Sequence, residues 1–117
     1  SYTNEVKEHV LGVSHSLLEA QGAVCADVAR AMARGARRTL SCDLALAVTG
    51  VAGPDSDERG NPVGLVYAAL DDGEHCWVRE LHLGGARARR DRVRTLSANH
   101  ALDMLRRWLF GLEIETV

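Results

Sequence analysis

The residues best suited to chemistry lie in Thr49-Gly50-Val51-Ala52-Gly53-Pro54, where two glycines three residues apart follow an apolar run. Glycine at the end of a strand lets the backbone take positive φ and lets a ligand approach N–H groups, which is how many phosphate and carboxylate sites are built. The connection continues through Gly60 and Pro62 and is polar and rich in turn residues, so an ordinary long surface turn is the competing reading. A second candidate is the run of Arg87, Arg89, Arg90, Arg92 and Arg94 at the start of the last apolar-periodic segment. Positive charge there meets the positive end of a helix dipole, and a bound phosphate would relieve the conflict; a solvated turn is the alternative. Tyr2 and Lys7 are the third candidate. Five residues apart on one helix they would point about 140° apart, so they converge only if Tyr2 belongs to an incoming strand or loop. A surface tyrosine and a solvated lysine are the plainer reading.

These residues need elements to hold them. Leu44 to Val48 and Val63 to Leu70 are apolar runs, broken only by Gly64, of the kind that forms strands buried on both faces. Asp72-Gly73 then leads into HCWVRELHL, predicting an antiparallel hairpin whose second strand lies nearer a sheet edge. Thr3 or Asn4 can cap a first short helix with a narrow Val6 and Val10 stripe, and Ser14 or Ser16 a second that ends at Gly22. From Cys25 to Leu40, apolar Cys25, Val28, Ala29, Met32, Ala33, Ala36 and Leu40 share one side, and Asp27, Arg30, Arg34, Arg37 and Arg38 make a solvated face. The longest helix runs from about Arg89 to Phe110, with Gly111 as its terminator and His100 on the apolar stripe as a core or interface histidine. Strands alternating with helices, plus one hairpin, imply an α/β domain of layered α/β/α form with a mixed sheet.

Composition narrows the rest. The 117 residues suit a single domain, and 46% hydrophobic content is enough for one core. A net charge of -2 gives no general attraction to nucleic acid or anionic membranes. Cys25, Cys42 and Cys76 are odd in number without a C-x-x-C pair, which points away from disulfides and structural zinc and toward a reducing cytoplasm. The five histidines form no ligand pair at useful spacing, so neither a metal nor a cofactor is expected. No apolar run approaches a membrane span.

SYTNEVK at the start, LGV, GAVCADVARAMARGAR, the TGVAGPD loop, NPVGLVYAAL and an Arg-rich turn entering a long terminal helix together resemble, over nearly the whole chain, the C-terminal domain of the CinA competence and damage-inducible family. Its stand-alone form is nicotinamide-nucleotide amidohydrolase. The resemblance implies hydrolysis of the carboxamide of nicotinamide mononucleotide to nicotinate mononucleotide and ammonia, in pyridine-nucleotide recycling. It also implies catalytic roles for Tyr2 and Lys7, and substrate contacts from Asn4, Thr49, Gly50, Ala52, Gly53, Pro54 and Arg90. The family's serine, in an ESCTGG-like motif, does not occur here and lies upstream of the position of Ser1 in the family. The expectation is therefore a domain incomplete at its N-terminus and inactive in this form. Where the family has GPDGG this chain has GPDSD at Gly53 to Asp57, and the family's GDR becomes GGARARR. A non-catalytic nucleotide-binding or protein-interaction module is the alternative, and a homo-oligomer is expected because a truncated sheet would leave apolar surface.

Overall fold

The computed structural model describes residues 3–84 and 89–116, so Tyr2 and Arg87 lie outside the described residues. The elements are helices α1 (Asn4–His9), α2 (His15–Gln21) and α3 (Ala26–Thr39), strands β1 (Ala45–Gly50), β2 (Leu65–Asp71) and β3 (Cys76–His82), and helix α4 (Arg90–Leu109). The strands form one sheet in the order β1-β2-β3. β1 pairs antiparallel with β2 from Ala45 opposite Asp71 to Gly50 opposite Val66, and β2 pairs antiparallel with β3 from Leu65 opposite His82 to Asp71 opposite Cys76.

The three expected layers are present, and β2 joins them by alternation. Ala69 packs with Ala29 and Ala33 of α3 and with Val78, while Ala68 and Leu70 pack with Met104 of α4 and Ile114. The pairing among the described residues is antiparallel throughout rather than mixed. The connections inside this sheet are a loop and a hairpin, and neither carries the crossover that parallel neighbours require. β1 also differs from expectation. It is half-buried rather than covered on both faces, and Val48 is 39% exposed because it borders a cleft.

Local chemistry explains the helix ends. Thr3 Oγ1 accepts from Val6 N–H at 3.3 Å and Ser14 Oγ from Leu17 N–H at 3.2 Å. Cys25 replaces a hydroxyl cap with a thiol, whose Sγ accepts from Val28 N–H at 3.5 Å. The expected Val6 and Val10 stripe faces outward instead, and Lys7 is the buried residue of α1. Leu40, expected on the apolar side of α3, is exposed at its C-cap. One arginine of the supposedly solvated face is not solvated by role: Arg37 Nε donates at 2.7 Å to the buried carboxylate of Asp71.

Two close approaches seat the first helices on α3. A Cβ on Gly35 would stand 1.6 Å from the Leu11 carbonyl oxygen, so the helix is open there to receive that backbone. Thr39 Oγ1 also donates to the Val10 carbonyl at 2.9 Å. At the other end, Asp72 accepts from the N–H groups of Glu74 and His75, shaping the hairpin, and from Trp108 Nε1 of α4 at 3.1 Å. Burial works to raise the Asp72 carboxyl, but these hydrogen bonds outweigh it and hold its pKa below the ordinary value.

Candidate functional site

A cleft of about 570 Å³ opens where β1 ends, on the α4 side of the sheet. Val48, Val66, Val93 and Ala98 supply apolar surface, the backbone from Gly50 to Pro54 forms one wall, and Arg90 and Arg94 come from the first turns of α4. Arg90 and Arg94 are four residues apart and therefore share a helix face. Arg90 Nη1 donates to the Gly53 carbonyl at 3.1 Å, closing the wall against the helix.

The two glycines of the loop do different work. Gly53 takes φ 97°, as expected for a turn that only glycine enters easily. Gly50 instead is required for packing, since a Cβ there would lie 2.6 Å from Val66 Cγ2 and 2.9 Å from the Leu65 carbonyl. Further along, Asp57 accepts from Arg59 N–H at 3.0 Å and from both Asn61 N–H and Asn61 Nδ2 at 2.8 Å. Burial pushes its carboxyl up, but the Asn61 and Arg59 bonds prevail and the net shift is downward. Arg59 then reaches out of the loop to the C-terminal end of α2, donating to the carbonyls of Ala20 at 3.2 Å, Leu18 at 3.4 Å and Glu19.

Gly50, Ala52, Gly53, Pro54 and Arg90 are thus brought together as expected around one opening. Thr49 is not. Its neighbour Val48 takes the cleft side of the strand, so the Thr49 side chain falls on the opposite face, where Oγ1 donates to the Ala23 carbonyl at 2.6 Å. Asn4 is exposed on α1 and lines neither this cleft nor a second one. Lys7 also lines neither, and it is the only lysine among the 117 residues. It is only 5% exposed, and burial pushes its ammonium pKa down from 10.5.

The sequence profile of the CinA C-terminal domain matches residues 1–109. This chain belongs to that family. A CinA-like protein of Geobacter sulfurreducens is 55% identical over 109 residues, which are 93% of this chain and 26% of that protein. A putative competence-damage inducible protein of Caldanaerobacter subterraneus is 46% identical over 115 residues, 98% of this chain and 27% of its own length. Among solved structures, a CinA superfamily protein from Escherichia coli superposes with a TM-score of 0.85 at 32% identity, covering 92% of this chain and 60% of that one. A competence/damage inducible protein from Agrobacterium tumefaciens gives 0.83 at 36% identity, covering 90% of this chain and 63% of that one. The chain thus spans about a quarter of its curated relatives and about 60% of these solved ones.

This CinA C-terminal domain also places residues that sequence patterning passed over. Arg94 lines the cleft beside Arg90, and the arginine cluster marked its position without distinguishing it from its neighbours. Val66 and Val93 are core residues, as their apolar positions imply, and also border the cleft, whereas Val48 is the exposed valine of its lining. The second cleft, about 420 Å³, lies beside β3 and is ringed by charges that pair with one another. There Arg79 spans His100 Nδ1 and Asp103, each at 3.1 Å, and Arg106 and Arg107 also donate to Asp103. Hydrogen bonds from Arg106, Arg107 and Arg79 hold the Asp103 carboxyl well below the usual range. Among the described residues, no group of three or more His, Cys, Asp or Glu side chains is arranged to hold a metal ion, and no helix is long and apolar enough to cross a membrane.

Proposed function

We propose that the protein carrying this domain is a nicotinamide-nucleotide amidohydrolase, acting in the cytoplasm on nicotinamide mononucleotide. The observation that carries the reading is the cleft in which Arg90 and Arg94 stand beside the Gly50 to Pro54 wall and an apolar floor. Its volume falls within the range of small-ligand sites. A phosphate would sit against the guanidinium groups, and a flat pyridine ring against the valines. In the proposed reaction a serine hydroxyl supplied by the longer protein attacks the carboxamide carbon. The family resemblance gives Lys7, together with Tyr2, the role of receiving the hydroxyl proton and delivering it to the departing ammonia, after which water hydrolyses the acyl-serine to nicotinate mononucleotide. Lys7 stands outside the cleft, so this role requires the carboxamide to extend past the Gly50 to Pro54 wall toward α1. The buried setting of Lys7 supports the base role, because desolvation favours the neutral amine that can accept a proton.

The test is ammonia release from nicotinamide mononucleotide by the full-length protein and by its Lys7→Ala variant. Release by the parent and loss in the variant are the expected results; no release by the parent would overturn the reading. Exposed Leu102, Leu109, Phe110 and Leu112, in the second half of α4 and just beyond it, favour a second reading, an interaction module that associates with copies of itself or another protein. Tight binding of a protein partner without amide turnover would select it.

A further inference from the structure

The connection between β1 and β2 is gripped from both sides of the sheet. Near its start, Arg90 of α4 holds the Gly53 carbonyl. Near its end, Arg59 holds the carbonyls of Leu18, Glu19 and Ala20, where α2 terminates on the α3 side. Asp57 turns the chain between them, so that Arg59 leaves the loop pointing at α2. Arg59 itself does not line the cleft, whereas Asp55 and Asp57, four and two residues before it, do.

We infer that Arg59 is a positioning residue for the ligand cleft, acting through the loop wall without touching the ligand. The Leu18 carbonyl already accepts from Gly22 N–H at 2.9 Å, but a helix C-terminus leaves its last carbonyls without intrahelical N–H partners, and the guanidinium fork supplies several donors at once. The grip fixes the far limb of the loop to α2. An anion that draws Arg90 away from Gly53 then releases only the near limb, and the wall keeps its shape as the ligand enters. A lysine at position 59 offers a single ammonium point in place of the fork and would hold the limb only in part. The same contact joins the helical pair that includes Lys7 to the substrate loop, and on the amidohydrolase reading it sets binding rather than the chemical step.

The experiment uses the full-length protein with Arg59→Ala and Arg59→Lys. Hydrogen exchange without ligand reads the backbone N–H groups of Arg59, Gly60 and Asn61, and calorimetry reads affinity for nicotinamide mononucleotide. Arg59→Ala is expected to speed exchange at those three amides at least about tenfold. It should weaken binding about five- to tenfold, through lost preorganisation, with KM raised, kcat nearly unchanged and Tm within a few degrees. Arg59→Lys should recover part of both effects. Unchanged exchange in Arg59→Ala overturns the inference, as does unchanged affinity when the parent binds. If the parent does not bind the nucleotide, the amidohydrolase reading fails, and the exchange result alone decides whether Arg59 braces the loop.

Discussion

Arg90 donates from Nη1 to the carbonyl oxygen of Gly53 across 3.1 Å and 37 positions of sequence, so the β1–β2 connection and the last helix meet at a polar contact. A neutral carbonyl is a weaker partner for a guanidinium than a doubly charged phosphate. The contact holds the arginine in place and leaves it exchangeable.

Replacing Arg90 with Gln should therefore weaken nicotinamide mononucleotide binding by about tenfold to a hundredfold, the range for one hydrogen bond to a charged group. Affinity for the unphosphorylated riboside should barely change. Calorimetry with both ligands checks this, and an equal loss for the two would mean that Arg90 shapes the cleft without meeting the phosphate.

Lys7 should titrate below 10.5, and because no second lysine exists in these residues, one carbon-13 resonance from labelled lysine reports it. The folded state then gives up this proton at a lower pH than the unfolded chain. Between the two values the unfolded state binds more protons, so stability rises with pH across that window. Below the folded value the whole cost of burying the ammonium is present. Because methionine does not titrate, the stability of Lys7→Met relative to the parent should accordingly fall as pH rises through that window toward 10.5. Denaturant melts at both ends of the range measure it.

Gly35→Ala reverses a familiar sign. Alanine in a helix interior normally gains about 1 kcal/mol over glycine. Here the added methyl would lie 1.6 Å from the Leu11 carbonyl oxygen. Relief requires moving the α1–α2 segment off α3, and a loss of about 2–4 kcal/mol is expected in chemical denaturation.

Arg37 and Asp71 form an ion pair at 2.7 Å in which the carboxylate is 4% exposed and the guanidinium 28%. Arg37→Ala strands that carboxylate and should cost about 3 kcal/mol, whereas replacing both residues with apolar ones should cost much less. A double-mutant cycle gives the coupling, which should exceed that of the solvent-facing Arg106–Asp103 pair.

Much of the scaffold was legible. Serine and threonine caps, the Asp-Gly hairpin and the apolar spacing of α3 and α4 each follow from one short-range rule, and each element forms within a residue or two of its expected limits. Contacts between distant segments were not legible. The Arg59 grip on α2, the Gly35 seat for Leu11 and the Arg37–Asp71 pair join residues 24 to 41 positions apart, and no local pattern distinguishes those arginines or that glycine from their neighbours. Thr49 lies away from the cleft for a related reason. The family resemblance implied a substrate contact, and the two-residue repeat of a strand sends the side chain to the other face.

The alternation along β2 limits how this domain can change its length. One inserted residue would bring Leu70 to the side where α3 rests closely on Ala69, and a small residue to the side where Met104 needs bulk. Insertions and deletions should therefore survive in the connections between strands and helices, with the central strand inherited intact as a block.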